Sequence, residues 1–156
     1  MRRFVLSILL ACAALVASAQ DLKLPSVLGS GMVLQQNENV NIWGWSKPSA
    51  KITVKAQWLE EAVKTKAAAE GKWMLSLSPP AGSYEKYSMS VSDGKSAIDL
   101  EDVMIGEVWL CSGQSNMAWK TSQVLDLEQE MKNAAEVGKY VRLYSTGRIS
   151  ASKPQD

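Results

Sequence analysis

The chain has 156 residues, with 17 basic against 16 acidic, two cysteines and no histidine. That balance, without a basic cluster, argues against a nucleic-acid partner or a polybasic membrane-binding surface. With no imidazole and so few thiols, zinc, copper and haem lack their usual ligands; no metal or cofactor is assigned, although the carboxylates leave oxygen-ligand calcium chemistry open.

Residues 1–19 read as a secretory signal peptide. Arg2 and Arg3 form a positive start, Phe4 to Val16 is apolar, and Ala17-Ser18-Ala19 fits the small-x-small rule for cleavage before Gln20. The apolar stretch is shorter than the roughly 20 residues a bilayer span needs. Cys12 raises a lipoprotein alternative, but Leu10 fits poorly two places before it. Export to the periplasm or the extracellular space follows, with no membrane attachment after cleavage. Removing Arg2 and Arg3 takes the 17 basic residues to 15 against 16 acidic ones, a formal charge of −1. Only Cys111 then remains, so no internal disulfide is available.

Residues 20–104 read as short strands between turns, an all-β sandwich. Met32 to Gln35 is one candidate. Val40 to Trp45 alternates, with Val40, Ile42 and Gly44 on one face. Ile52, Val54 and Ala56 share a face in the next strand, Val63 to Ala68 is weaker, and Gly71 reads as a hairpin turn into Trp73, Leu75 and Leu77. Tyr87 to Val91 and Ala97 to Leu100 flank Asp93-Gly94, a strong hairpin signal.

The pattern changes from residue 105. Ile105 to Cys111 is a mostly apolar run, as in a strand buried on both faces of a parallel sheet. Leu127, Met131, Ala134 and Ala135 then form a helical stripe, with Asp126 and Gln129 as a capping box and Gly138 as its stop. Tyr140 to Tyr144 reads as a second strand. Strand, helix, strand is one βαβ unit, so 105–156 is expected to be the start of an α/β domain whose C-terminal part is missing.

The chemistry concentrates where the expected strand ends. Ser115 sits after a glycine-containing turn, at the carboxyl end of a strand, which is where α/β sheets bind ligands. Its own backbone N–H there can serve an oxyanion, and Gly113 permits close approach of a substrate. On spacing alone a serine in this position reads first as a helix cap, and Met117 replaces the second glycine of the G-x-S-x-G elbow. Ser112, one residue past the strand, reads as a turn residue. Lys120 is the nearest basic side chain in sequence, and Glu107 and Asp102 are weak bases toward an alcohol. Cys111 is expected to be a buried packing thiol. The six tryptophans, Trp43, Trp45, Trp58, Trp73, Trp109 and Trp119, fit core packing first and sugar stacking second.

The run Gly106-Glu107-Val108-Trp109-Leu110-Cys111-Ser112-Gly113-Gln114-Ser115-Asn116-Met117 resembles the nucleophile block of the sialate O-acetylesterase family, within the SGNH (GDSL-like, flavodoxin-like) hydrolases. The likeness extends to Leu24–Gly29, Met32–Gln35, Val40–Trp45, Gly71–Trp73, Val141–Tyr144 and Pro154–Asp156. The resemblance implies that this is the N-terminal portion of such an enzyme, that Ser115 is the nucleophile and that Gly113, Gln114 and Asn116 support the substrate. It implies an O-acetylated sugar or sialic acid as substrate. It also places an Asp–His pair in later blocks, so the chain by itself is expected to be inactive. The alternative is a secreted, non-catalytic β-sandwich module that binds glycans.

Overall fold

The computed structural model describes residues 21–123, 125–147 and 152. The expected signal peptide and Pro154-Gln155-Asp156 lie outside them. Seven strands occur among the described residues: β1 (Val33–Gln35), β2 (Val40–Trp45), β3 (Lys51–Ala56), β4 (Val63–Lys66), β5 (Lys72–Leu77), β6 (Tyr87–Ser92) and β7 (Ala97–Gly106). One α-helix follows, α1 (Leu127–Val137).

The period-2 alternation decides which face each strand buries. Ile52, Val54 and Ala56 of β3 are buried while Lys51 and Lys55 are exposed, and Trp73, Leu75 and Leu77 of β5 are buried between exposed Lys72, Met74 and Ser76. Ile42, Met89, Val91, Leu100 and Val103 join them in one hydrophobic cluster. Fully burying an aliphatic side chain of this size is worth roughly 1.5–3 kcal/mol, so the cluster dominates the stability of the β region.

The strands form a mixed five-stranded sheet in the order β1-β7-β6-β3-β4 and a separate two-stranded pair, β2-β5. Both contribute to the same core. The β1–β7 ladder is parallel, with Val33 opposite Met104, Leu34 opposite Ile105 and Gln35 opposite Gly106. All the other ladders are antiparallel.

Two turns and one close contact show how local chemistry routes the chain. Asp93-Gly94 does close the β6–β7 hairpin: Asp93 Oδ1 accepts from the backbone N–H of Lys95 and Ser96 at 2.9 and 2.8 Å, and Gly94 takes φ +84°. The fully buried Ser46 donates its hydroxyl to Asp93 Oδ2 at 3.0 Å, and its N–H to the carbonyl of Gly71. Gly71, at φ +83°, is not a hairpin turn: β4 pairs with β3 and β5 pairs with β2, so the turn carries the chain from one sheet to the other. At Gly44 there is no room for a side chain. An added Cβ would strike the Lys23 carbonyl and lie 2.9 Å from the Trp73 ring, which covers Gly44 from the opposite strand.

Beyond β7 the structure departs from the expected βαβ unit. β7 runs unbroken through 104 and 105, the expected domain boundary, and ends at Gly106. Glu107 to Gln114 has no regular structure, and Trp109 and Leu110 are 82% and 93% exposed. Tyr140 ends a 3₁₀ turn, Gly138–Tyr140; Val141 is extended, and Val141 to Tyr144 forms no ladder among the described residues. A strand with two apolar faces needs neighbours at both edges and cover on both sides, and the described residues offer 107–111 neither. Helix α1 forms where expected, but Asp126 adopts φ +57° with no side-chain cap, Gln129 bonds Asn133 instead, and Gly138 stays right-handed. Its stripe is not packed: no residue of α1 is buried.

Hydrogen bonds, led by the Ser96 N–H, hold the Asp93 carboxyl below the usual aspartate range despite some desolvation. A folded-state pKa below the unfolded one contributes stability at pH values above the unfolded pKa, and that contribution is lost as pH falls through the folded one. Asp93→Ala is expected to cost about 1–2 kcal/mol near neutral pH. Thermal melts of the two proteins should converge as the solution is acidified below the carboxylate range; a gap that stays constant would contradict the assignment. Gly44→Ala should lower stability by about 1–3 kcal/mol through overpacking, measured by urea unfolding.

Candidate functional site

The segment that carries Ser115 leaves the sheet at the end of β7, and its first residues are tied to β1. Gln35 and Gln36 donate their side-chain amides to the two carboxylate oxygens of Glu107, at 3.1 Å to Oε2 and 2.6 Å to Oε1 respectively. Gln35 also accepts from the Val108 N–H at 2.9 Å, and Gln36 accepts from the Gly82 N–H at 2.7 Å. The two glutamines therefore grip Glu107 with their amide nitrogens and hold backbone N–H groups with their oxygens. These bonds, first from Gln36 and then from Gln35, keep the Glu107 carboxyl below the usual glutamate range against a smaller desolvation effect. The parallel register makes the network possible, because Gln35 stands opposite Gly106.

Gly82 is part of the same construction. A Cβ there would lie 2.8 Å from Gln36 Oε1 and 3.1 Å from the Ile105 carbonyl. The strand spacing leaves no side-chain volume between the loop and the end of β7.

Further on, Ser115 opens a 3₁₀ turn, Ser115–Ala118, preceded by Gln114 in extended conformation without a side-chain cap. Met117 donates its N–H to the Gln114 carbonyl at 2.9 Å. The cap reading of Ser115 is not what the structure shows: its hydroxyl makes no hydrogen bond among the described residues, and it is exposed. The space beside Gly113 is taken by Met117, whose Cγ would stand 2.7 Å from an added Cβ. Gln114 and Asn116 flank the serine and are exposed as well. Cys111 is exposed, which corrects the expectation of a buried thiol. Its place two residues after Trp109 on an unpaired stretch removes the packing that expectation required.

The tail of the segment is fastened to the β region too. Arg142 spans the Asp102 carboxylate with Nη2 at 3.2 and 3.1 Å, and Lys86 reaches the same group at 2.9 Å. Lys86 first, and Arg142 with it, hold the Asp102 carboxyl below its usual range, against desolvation. Asp102 takes φ +55°, an uncommon conformation within a strand. Tyr140 packs on Tyr84 with ring centroids 4.3 Å apart, and the Tyr144 and Ser26 hydroxyls lie 2.6 Å apart. Sequence reasoning set Glu107 and Asp102 aside as weak bases; the adjacent Gln35-Gln36 pair was the available signal for the structural use of Glu107.

Of the tryptophans, Trp73 alone is fully in the core, Trp43 packs against it part-buried, and Trp109 and Trp119 are exposed. No group of three or more potential metal-ligating side chains occurs among the described residues.

No family model matches the chain. The human sialate O-acetylesterase is 32% identical over 136 residues, 82% of this chain and 26% of that protein. The mouse sialate O-acetylesterase is 31% identical over 139 residues, 84% of this chain against 26% of the relative. Over the matched segment, this chain belongs to the sialate O-acetylesterase family. It spans about a quarter of the length of the curated relatives it matches. Among solved structures, a carbohydrate acetylesterase from Xanthomonas citri is similar with a TM-score of 0.63 and 34% identity, covering 70% of this chain and 25% of that one. At that identity and score the likeness extends to the backbone, and this member of the family shares the fold of part of an acetylesterase.

The anchoring of 107–144 by a few side-chain ties, with its described apolar residues outside the core, gives it lower local stability than the β region. Brief chymotrypsin treatment should cut at exposed Trp109, Leu110, Trp119 or Leu143 before any site in β2–β7, as read by mass spectrometry. First cuts inside β3, β5 or β6 would contradict this.

Proposed function

We propose that this chain supplies the nucleophile-bearing part of a secreted carbohydrate O-acetylesterase, with Ser115 as nucleophile. The observation that carries the reading is the sequence similarity to sialate O-acetylesterases over a segment that includes the exposed Ser115, beside the structural similarity of part of the chain to a carbohydrate acetylesterase. In this reading the β region that ends with β7 at Gly106 is a β-sandwich and the residues after it begin the SGNH-type hydrolase domain, behind a signal peptide at 1–19.

The chemistry is acetyl transfer. Ser115 Oγ attacks the acetyl carbonyl carbon of an O-acetylated sugar, sialic acid foremost, and its proton passes to a general base. The negative charge on the carbonyl oxygen is met by the Ser115 N–H at the start of its turn, with Gly113, Gln114 and Asn116 lining the approach. The sugar oxygen then leaves, taking back a proton, and water hydrolyses the acetyl-serine. The 156 residues contain no histidine, and no hydrogen bond reaches the Ser115 hydroxyl among the described residues. The base therefore comes from outside these residues, and the chain alone is not competent.

Two measurements test the reading. The isolated chain should hydrolyse 4-nitrophenyl acetate no faster than its Ser115→Ala variant; Ser115-dependent turnover would show that a base lies within it. In a longer polypeptide carrying this stretch together with a histidine-containing block, Ser115→Ala should lower kcat on an O-acetylated sugar by about 10³-fold or more. Retention of activity there would exclude Ser115.

A further inference from the structure

We propose that Glu107 is a positioning residue for the Ser115 segment, acting through Gln35 and Gln36 as an acid–amide clamp that fixes how the chain leaves β7. The proposal rests on Ser115 being the nucleophile only for its catalytic meaning; the clamp itself stands on geometry.

The clamp is saturated in a way that allows few substitutes. An ionised carboxylate accepts but cannot donate, whereas a primary amide has one acceptor oxygen and one donor nitrogen. Here the two amide nitrogens face the two oxygens of Glu107, which leaves both amide oxygens free for the N–H groups of Val108 and Gly82. The backbone N–H of Gln36 adds a bond to the Gly106 carbonyl at 2.9 Å. Three stretches distant in sequence, 35–36, 82 and 106–108, are thereby locked at one end of the β1–β7 ladder. The absence of a side chain at Gly82 leaves the space in which Gln36 takes this pose.

Satisfiability gives the clamp a specific signature. In Glu107→Gln a third amide enters, and at least one donor must face a donor. Flipping Gln36 to accept from the introduced amide would turn its own NH₂ toward the Gly82 N–H. Gln36→Glu sets two carboxylates against each other where 2.6 Å now separates donor from acceptor. Making both changes together restores every bond. The introduced amide at position 107 accepts from Gln35 and donates to the introduced carboxylate at position 36, and that carboxylate still accepts from the Gly82 N–H. A role that depended only on side-chain volume or net charge would not show this reciprocal rescue.

The test compares the full chain with Glu107→Gln, Gln36→Glu and the double variant by residue-resolved hydrogen exchange. Loss of a charge-assisted hydrogen bond should speed exchange at Val108 and Gly82 about tenfold in each single variant, leaving the β3–β6 ladder unchanged. The double variant should return to within about threefold of the parent. A nitroxide on Cys111, with Cys12→Ser leaving it the sole thiol, gives a second readout. Relaxation enhancement at the amides of 81–83 and 34–37 should weaken in the single variants and recover in the double. A double variant no better than the worse single one, or loosening spread equally over β3–β6, would overturn the clamp. Ser115→Ala should leave all these signals unchanged, so failure of the nucleophile reading and failure of the clamp are separate results.

Discussion

The short parallel ladder between β1 and β7 is the constraint on which the rest of the arrangement depends. Three residues of β1 lie beside the last three of β7, and everything from β2 to β6 is the connection between them. Parallel pairing of segments this far apart in sequence carries a loop-closure cost, and the buried cluster of β2, β3, β5 and β6 is what offsets it. Because the register sets Gln35 opposite Gly106, the residues that follow both strands emerge side by side. Gln36 meets Glu107, and the chain toward Ser115 starts from a fixed point. Stability of the β region and placement of the candidate nucleophile are thus linked through one ladder end.

The other end of the Ser115 excursion returns to the same strand. Asp102, four residues before Gly106 in β7, holds Arg142. The carboxyls of Asp102 and Glu107 are both held below their usual ranges by donors around them, one mainly by cations and one by amides. The half-buried Arg142 joins the tail of the segment to Asp102 and so directs where that tail lies. Between the two ties, the described residues of 108–141 contribute nothing to the core.

Much of the β region was legible because its signals are local. The alternation of Ile52, Val54 and Ala56, or of Trp73, Leu75 and Leu77, directly states which face is buried, and Asp93-Gly94 contains its own turn chemistry. Pairing was harder to read: Gly71 separates two strands as a hairpin turn would, but whether they pair depends on partners distant in sequence. The apolar run Ile105 to Cys111 misled for a related reason. Ile105 is buried as β7 closes the core, while Val108 to Leu110, equally apolar, are exposed. Hydrophobicity reports what a residue can bury, not where a partner stands. At the candidate site, the run around Ser115 is what singles it out in the sequence, whereas the role of Glu107 shows only once Gln35 and Gln36 stand beside it.

The most direct measurement is capture of the acetyl intermediate. A polypeptide that carries this stretch and hydrolyses an O-acetylated sugar would be quenched in acid during turnover and mapped by peptide mass spectrometry. An acetyl group is expected on Ser115, within the peptide spanning residues 113–119, and is lost in Ser115→Ala. Turnover with the acetyl group on another residue, or unchanged in Ser115→Ala, would contradict it.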